Sequence, residues 1–112
     1  MDESPALPAG AAARLSLMRR FTAAESAIYP LAMTDPDRYE RAVVVIGLVV
    51  QQLRRDCSSI DALLEGLPAF AQQALDLATE QGISLAGLAP DVLGDAAAAL
   101  RYRELASAPP HP

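Results

Sequence analysis

The residue types that most often carry catalysis or bind transition metals are nearly exhausted in this chain, which holds one histidine, His111, and one cysteine, Cys57. His111 falls in a Pro-rich stretch, "SAPPHP", and has no second imidazole to share a ligand set or a base role with. A tetrahedral zinc site, a Ser-His pair or a Cys-His dyad would each need more than this. Cys57 follows "RRD", where neighbouring guanidinium groups favour a thiolate, but the negative end of a preceding helix works against one. We read it as a structural cysteine. Asp35, Asp37 and Glu40 are spaced to gather oxygen ligands around a divalent cation, yet the same three residues suit the positive end of a helix with no ion present. The glycines at 10, 47, 66, 82, 87 and 94 are scattered, so no phosphate-cradling loop is formed. The expected chemistry is therefore that of a non-enzyme with no cofactor, no metal and no evident small-molecule ligand.

Charge and cysteine content narrow the partners. Fourteen acidic residues face nine basic ones, a formal net charge of -5, so the average field repels phosphate backbones and anionic lipid. Every basic residue is Arg, a side chain suited to forked contacts with carboxylates. A single cysteine permits no intrachain disulfide, and the opening "MDESPALPAG" is acidic where a secretory leader is basic. The chain reads as cytoplasmic.

The stretch "ERAVVVIGLVVQQLRRD", residues 40 to 56, decides the fold class. Its apolar run from Ala42 to Val50 falls well short of the roughly 20 residues that cross a bilayer, and Arg and Glu bracket it. Its β-branched residues favour extended structure, but no second β-rich run exists to pair with it. "TDPDRYE" supplies helix-start chemistry instead: Thr34 or Asp35 as N-cap, Pro36 at the first helical position, and acidic groups at the positive end of the dipole. The spacing predicts a helix from about Pro36 to Arg55.

The rest of the chain reads as helices separated by Pro and Gly. One is expected over Ala11 to Tyr29, with Leu17, Phe21, Ala24 and Ile28 inward and Pro30 ending or kinking it. A short helix capped by Ser58 or Ser59 stops at Gly66. Another opens at Pro68, directs Phe70, Ala74, Leu77 and Gln81 inward, and stops at Gly82. A last segment begins at Ser84, breaks at Pro90, and directs Val92, Leu93, Ala96 and Leu100 inward. The expectation is an all-α bundle of about four to five helices around the hydrophobic helix at 36-55. Its single domain spans 11-106, between flexible tails at 1-10 and 107-112.

"LDLATEQGISLAGLAPDVL", residues 75 to 93, resembles the first half of a helix-turn-helix, through Ala78, Gly82, Ile83 and Leu88. The resemblance implies a DNA-binding regulator, in which dimerisation would gather Arg14, Arg19, Arg20, Arg101 and Arg103 into a basic face. The second helix would carry Ser84, Ala86, Gly87 and Asp91, which are poor readers of base edges, and Pro90 would interrupt it. A helix ending at a glycine cap explains the same letters.

On a wheel at about 100° per residue, Tyr39, Ala42, Val43, Ile46, Val49, Val50 and Leu53 form one broad stripe along the central helix. Opposite them lie Val44, Val45 and Leu48, framed by Arg41, Gln52 and Arg55. An apolar patch edged by charge needs a cover, from within the chain or from a partner. The sequence thus points to an accessory subunit, adaptor or regulator that binds another protein or a second copy of itself through Arg41, Val44, Val45, Leu48, Gln52 and Arg55.

Overall fold

Helix-start and helix-stop chemistry cuts the chain into the elements of the computed structural model, which describes residues 9-85 and 87-107. They are α1 (Ala9–Ile28), α2 (Leu31–Thr34), α3 (Pro36–Asp56), α4 (Ile60–Gly66), a 3-10 turn (Leu67–Ala69), α5 (Phe70–Glu80) and α6 (Pro90–Ser107). The protein is an all-α bundle. Residues 1-8 and 108-112, with His111, lie outside the described residues, while Gly10 and Ser107, expected in the tails, are helical.

Asp35 is the N-cap of α3: its side chain accepts a hydrogen bond from the Arg38 N–H at 3.3 Å, and Pro36 opens the helix. Ser59 caps α4 in the same way, accepting from the Ala62 N–H at 3.1 Å. Pro30 ends α1, and the short α2 follows it directly. Gly66 closes α4 in ordinary helical conformation, so the chain runs through the 3-10 turn at Pro68 straight into α5. Gly82 does what a terminating glycine should. At φ +67° it lets its own N–H reach the Thr79 carbonyl at 3.1 Å and the Ile83 N–H reach the Ala78 carbonyl at 2.8 Å. These two bonds are the Schellman pattern.

The helix against which most of the others pack is α6. It contacts α1, α3, α4 and α5, whereas α3 packs on α2, α5 and α6 and keeps one side free. Leu93, Gly94 and all four alanines from Ala96 to Ala99 are buried, so the first half of α6 is enclosed on nearly every side. Small side chains make this possible by letting neighbouring backbones come close. At Gly94 the approach is extreme: a Cβ there would lie 2.9 Å from the Ala71 nitrogen and from the Phe70 carbonyl carbon. The start of α5 therefore rests on bare α6 backbone.

The wrapping expected around α3 is thus centred on α6. Leu17, Phe21, Ala24 and Ile28 are buried as expected, and Phe21 meets Tyr102 of α6 with ring centroids 5.7 Å apart. Two other assignments change. Gln81 is exposed and Ala78 takes the inward position on α5; Leu100 stays exposed while Ala97, Ala98 and Ala99 fill the core. Both changes follow from alanine, whose small apolar area makes it a weak signal in a sequence but a good filler between close helices.

The two helical glycines separate contact from propensity. Gly94→Ala should lower the unfolding free energy by about 1–3 kcal/mol, since the methyl group must displace backbone. Gly47→Ala, whose Cβ would meet nothing within 4 Å, should raise it by about 0.5–1 kcal/mol. Urea titration of both variants checks the opposite signs.

Candidate functional site on the outer face of the third helix

Along α3 the buried residues are Ala42, Val45, Ile46, Val49, Val50 and Leu53. Glu40, Arg41, Val43, Val44, Gly47, Gln51, Arg54 and Arg55 are exposed, and Leu48 and Gln52 are half-buried at the border. Five of the six residues expected at an interface therefore share one side of the helix. The exception is Val45, which is 0% exposed and covered within the chain, while Val43, assigned to the core, is 45% exposed. The exchange has a simple cause. Consecutive apolar residues from Ala42 to Ile46 point in every direction around the axis, so their hydrophobicity cannot orient the helix. Orientation comes from packing against α5 and α6, which draws in Val45 and turns out Val43.

The outer face has an apolar middle and charged ends. Val43 and Val44, each 45% exposed, flank the line toward Gly47. Beside Gly47 a groove of about 440 Å³ separates α3 from α6, with Val50 and Leu100 on its apolar walls. Asp37 and Glu40 lie toward the N-terminal end, Arg54 and Arg55 at the other. Among the described residues, Asp37, Glu40, Arg41 and Arg55 take part in no ion pair.

The C-terminal end of α3 is tied down firmly. Arg54 grips the Glu104 carboxylate through Nε at 3.1 Å to both oxygens and through a further Nη2 contact. Arg101 donates to the same carboxylate at 3.1 Å and to the Cys57 carbonyl at 2.9 and 3.2 Å, meeting an acceptor that the helix end leaves open. Glu104 is held below the usual carboxylate range, first by the Arg54 hydrogen bond, with Arg101 adding to it and burial opposing. Burial, with help from Asp56, pushes the Cys57 thiol up, and Arg101 only partly offsets this.

The other expected sites fare differently. Asp35 is occupied as a cap and faces Arg38, and no group of three His, Cys, Asp or Glu placed to hold a metal occurs among the described residues. Among the described residues no helix is long and apolar enough to cross a membrane. The helix-turn-helix geometry does not form: α5 stops at Glu80 and the next helix starts only at Pro90. That next helix is α6, whose first half, from Leu93 to Ala99, is largely buried against its neighbours. Of the five arginines proposed for a basic face, Arg20 pairs with Asp95 at 2.7 Å, Arg103 with Glu25, and Arg101 with Glu104. A second groove, of about 480 Å³ between α1 and α4, has Leu17, Ile60, Leu64 and Leu67 among its walls and was not anticipated from the sequence. Its residues come from three distant parts of the chain, 10-20, 60-67 and Tyr102, with no shared motif to announce them. No family model matches the chain, and no curated protein or solved structure matches it either.

Two outcomes follow from the protonation chemistry. Cys57 should react with iodoacetamide at neutral pH far more slowly in the native protein than in urea, because the thiol is buried and held protonated; equal rates would contradict that burial. A carboxyl whose folded pKa is depressed contributes stability above its unfolded pKa and loses it as pH falls through the folded value. The stability difference between wild type and Glu104→Gln should accordingly shrink between about pH 5 and pH 3, as followed by urea unfolding across that range.

Proposed function

We propose that the protein is a non-enzymatic helical interaction module, an accessory subunit, adaptor or regulator acting in the cytoplasm, and that it docks through the outer face of α3. The observation that carries this reading is the placement of Val43 and Val44 on that face, bounded by charged residues without ion-pair partners among the described residues. Two exposed valines on an otherwise amphipathic helix gain from being covered, and the charges beside them can set orientation while the apolar middle supplies area. Valine is a weak anchor, so affinity here depends on fit over the length of the helix. The buried cysteine and the absence of any second one suit a reducing compartment. The DNA-binding alternative draws no support from the enclosed α6 or from the paired arginines.

The test uses tagged wild type and Val44→Asp as bait in an extract of the native host. Position 44 is on the surface, so the variant should keep its helical circular dichroism and change in stability by only about 0.5 kcal/mol. Wild type should retain a defined set of proteins that the variant loses. Recovery of the same set by both baits would sink the reading.

A further inference from the structure

We propose that the occupant of this face is a second copy of the chain, with the two α3 helices antiparallel and a twofold axis at Gly47. The inference rests on the interface reading above and names its partner. Glu40, Val44, Gly47, Gln51 and Arg54 succeed one another at alternating steps of four and three residues, so they form one line along the exposed side of α3. That line reads acidic, apolar, small, polar, basic. Glu40 lies seven residues before Gly47, and Arg54 and Arg55 lie seven and eight after it, about 10 Å away on either side at the helical rise. Antiparallel pairing about Gly47 sets Glu40 of each helix beside Arg55 of the other, both unpaired among the described residues, Arg54 being held by Glu104 of its own chain. Parallel pairing would set like charge beside like charge. An isologous contact requires a patch that complements itself under a twofold rotation, and this one does.

Gly47 supplies the second argument. A glycine inside an exposed helix weakens it, and nothing within the chain calls for one here, since a Cβ would meet only open space. Gly94 shows what an internal requirement looks like, with backbone atoms at 2.9 Å. At a helix crossing the missing side chain lets two backbones approach closely. Four residues to either side, Val43 of one copy then meets the level of Gln51 in the other, where the groove lined by Gly47, Val50 and Leu100 can receive it.

Sedimentation equilibrium from micromolar to about millimolar chain tests the proposal. Wild type should approach twice the chain mass. Gly47→Arg should remain monomeric with unchanged helicity, because its side chain enters open space in the single copy and the crossing point in the pair. Glu40→Arg should weaken association by about tenfold, as symmetry repeats each lost pair and adds repulsion at both ends. Adding Arg55→Glu to it should recover most of that loss while leaving Arg54 on Glu104. A wild type that stays monomeric throughout overturns the proposal, as does a dimer indifferent to Gly47→Arg or a charge swap that recovers nothing. Should wild type be monomeric and yet lose its captured proteins on Val44→Asp, the interface reading stands and this assignment of its partner falls.

Discussion

The contact on which the architecture depends is that of the start of α5 against the backbone of α6 at Gly94. With backbone atoms of Phe70 and Ala71 only 2.9 Å from the position a Cβ would take, the two helices approach too closely for any side chain there. That closeness places Phe70 in the core and lets Ala74 and Ala78 follow along the same seam. It also explains the run from Ala96 to Ala99. A helix enclosed by four neighbours has no free volume for larger side chains, and alanine costs the least in helix propensity while giving up the most room. The stability gained joins this dense contact among small groups to the burial of large side chains such as Phe70, Ile28, Leu53, Leu63 and Leu93.

The position of α3 follows from this. Because α6 takes the centre, α3 is left at the side, with α5 and α6 covering one half of it. Its apolar run is longer than one face can use, so the surplus, Val43 and Val44, is turned outward. A hydrophobic helix at the middle of a bundle would have hidden those residues. The Arg54 and Arg101 contacts with Glu104 and the Cys57 carbonyl then fix the C-terminal end of α3 to α6, so the exposed face is anchored at that end by polar contacts.

Much of the fold was legible in the residues. Asp35-Pro36, Ser59 and Gly82 mark boundaries by stereochemistry alone, and Leu17, Phe21, Ala24 and Ile28 give the inward side of α1 by periodicity. What was hidden is instructive. Pro90 reads as a break and is in fact the opening residue of α6, since a proline suits a helix start as well as it stops one. The alanine-rich end of the chain reads as weakly apolar and forms the core. Of the apolar patch expected on the outward side of α3, only Val44 is exposed; Leu48 is half-buried, and Val43 and Val45 exchange places because an unbroken apolar run carries no directional signal of its own.

Enclosure of α6 also bears on the order in which the molecule can assemble. The α1, α3, α4 and α5 helices leave the ribosome before the element they pack against, and Arg20 and Asp95, which join α1 to α6, are 75 residues apart. Until α6 emerges, the Val-rich run of α3 and the inner faces of its neighbours lack the cover that α6 supplies. Synthesis therefore exposes a nascent chain whose apolar faces wait on its last described helix, the kind of intermediate that chaperones hold.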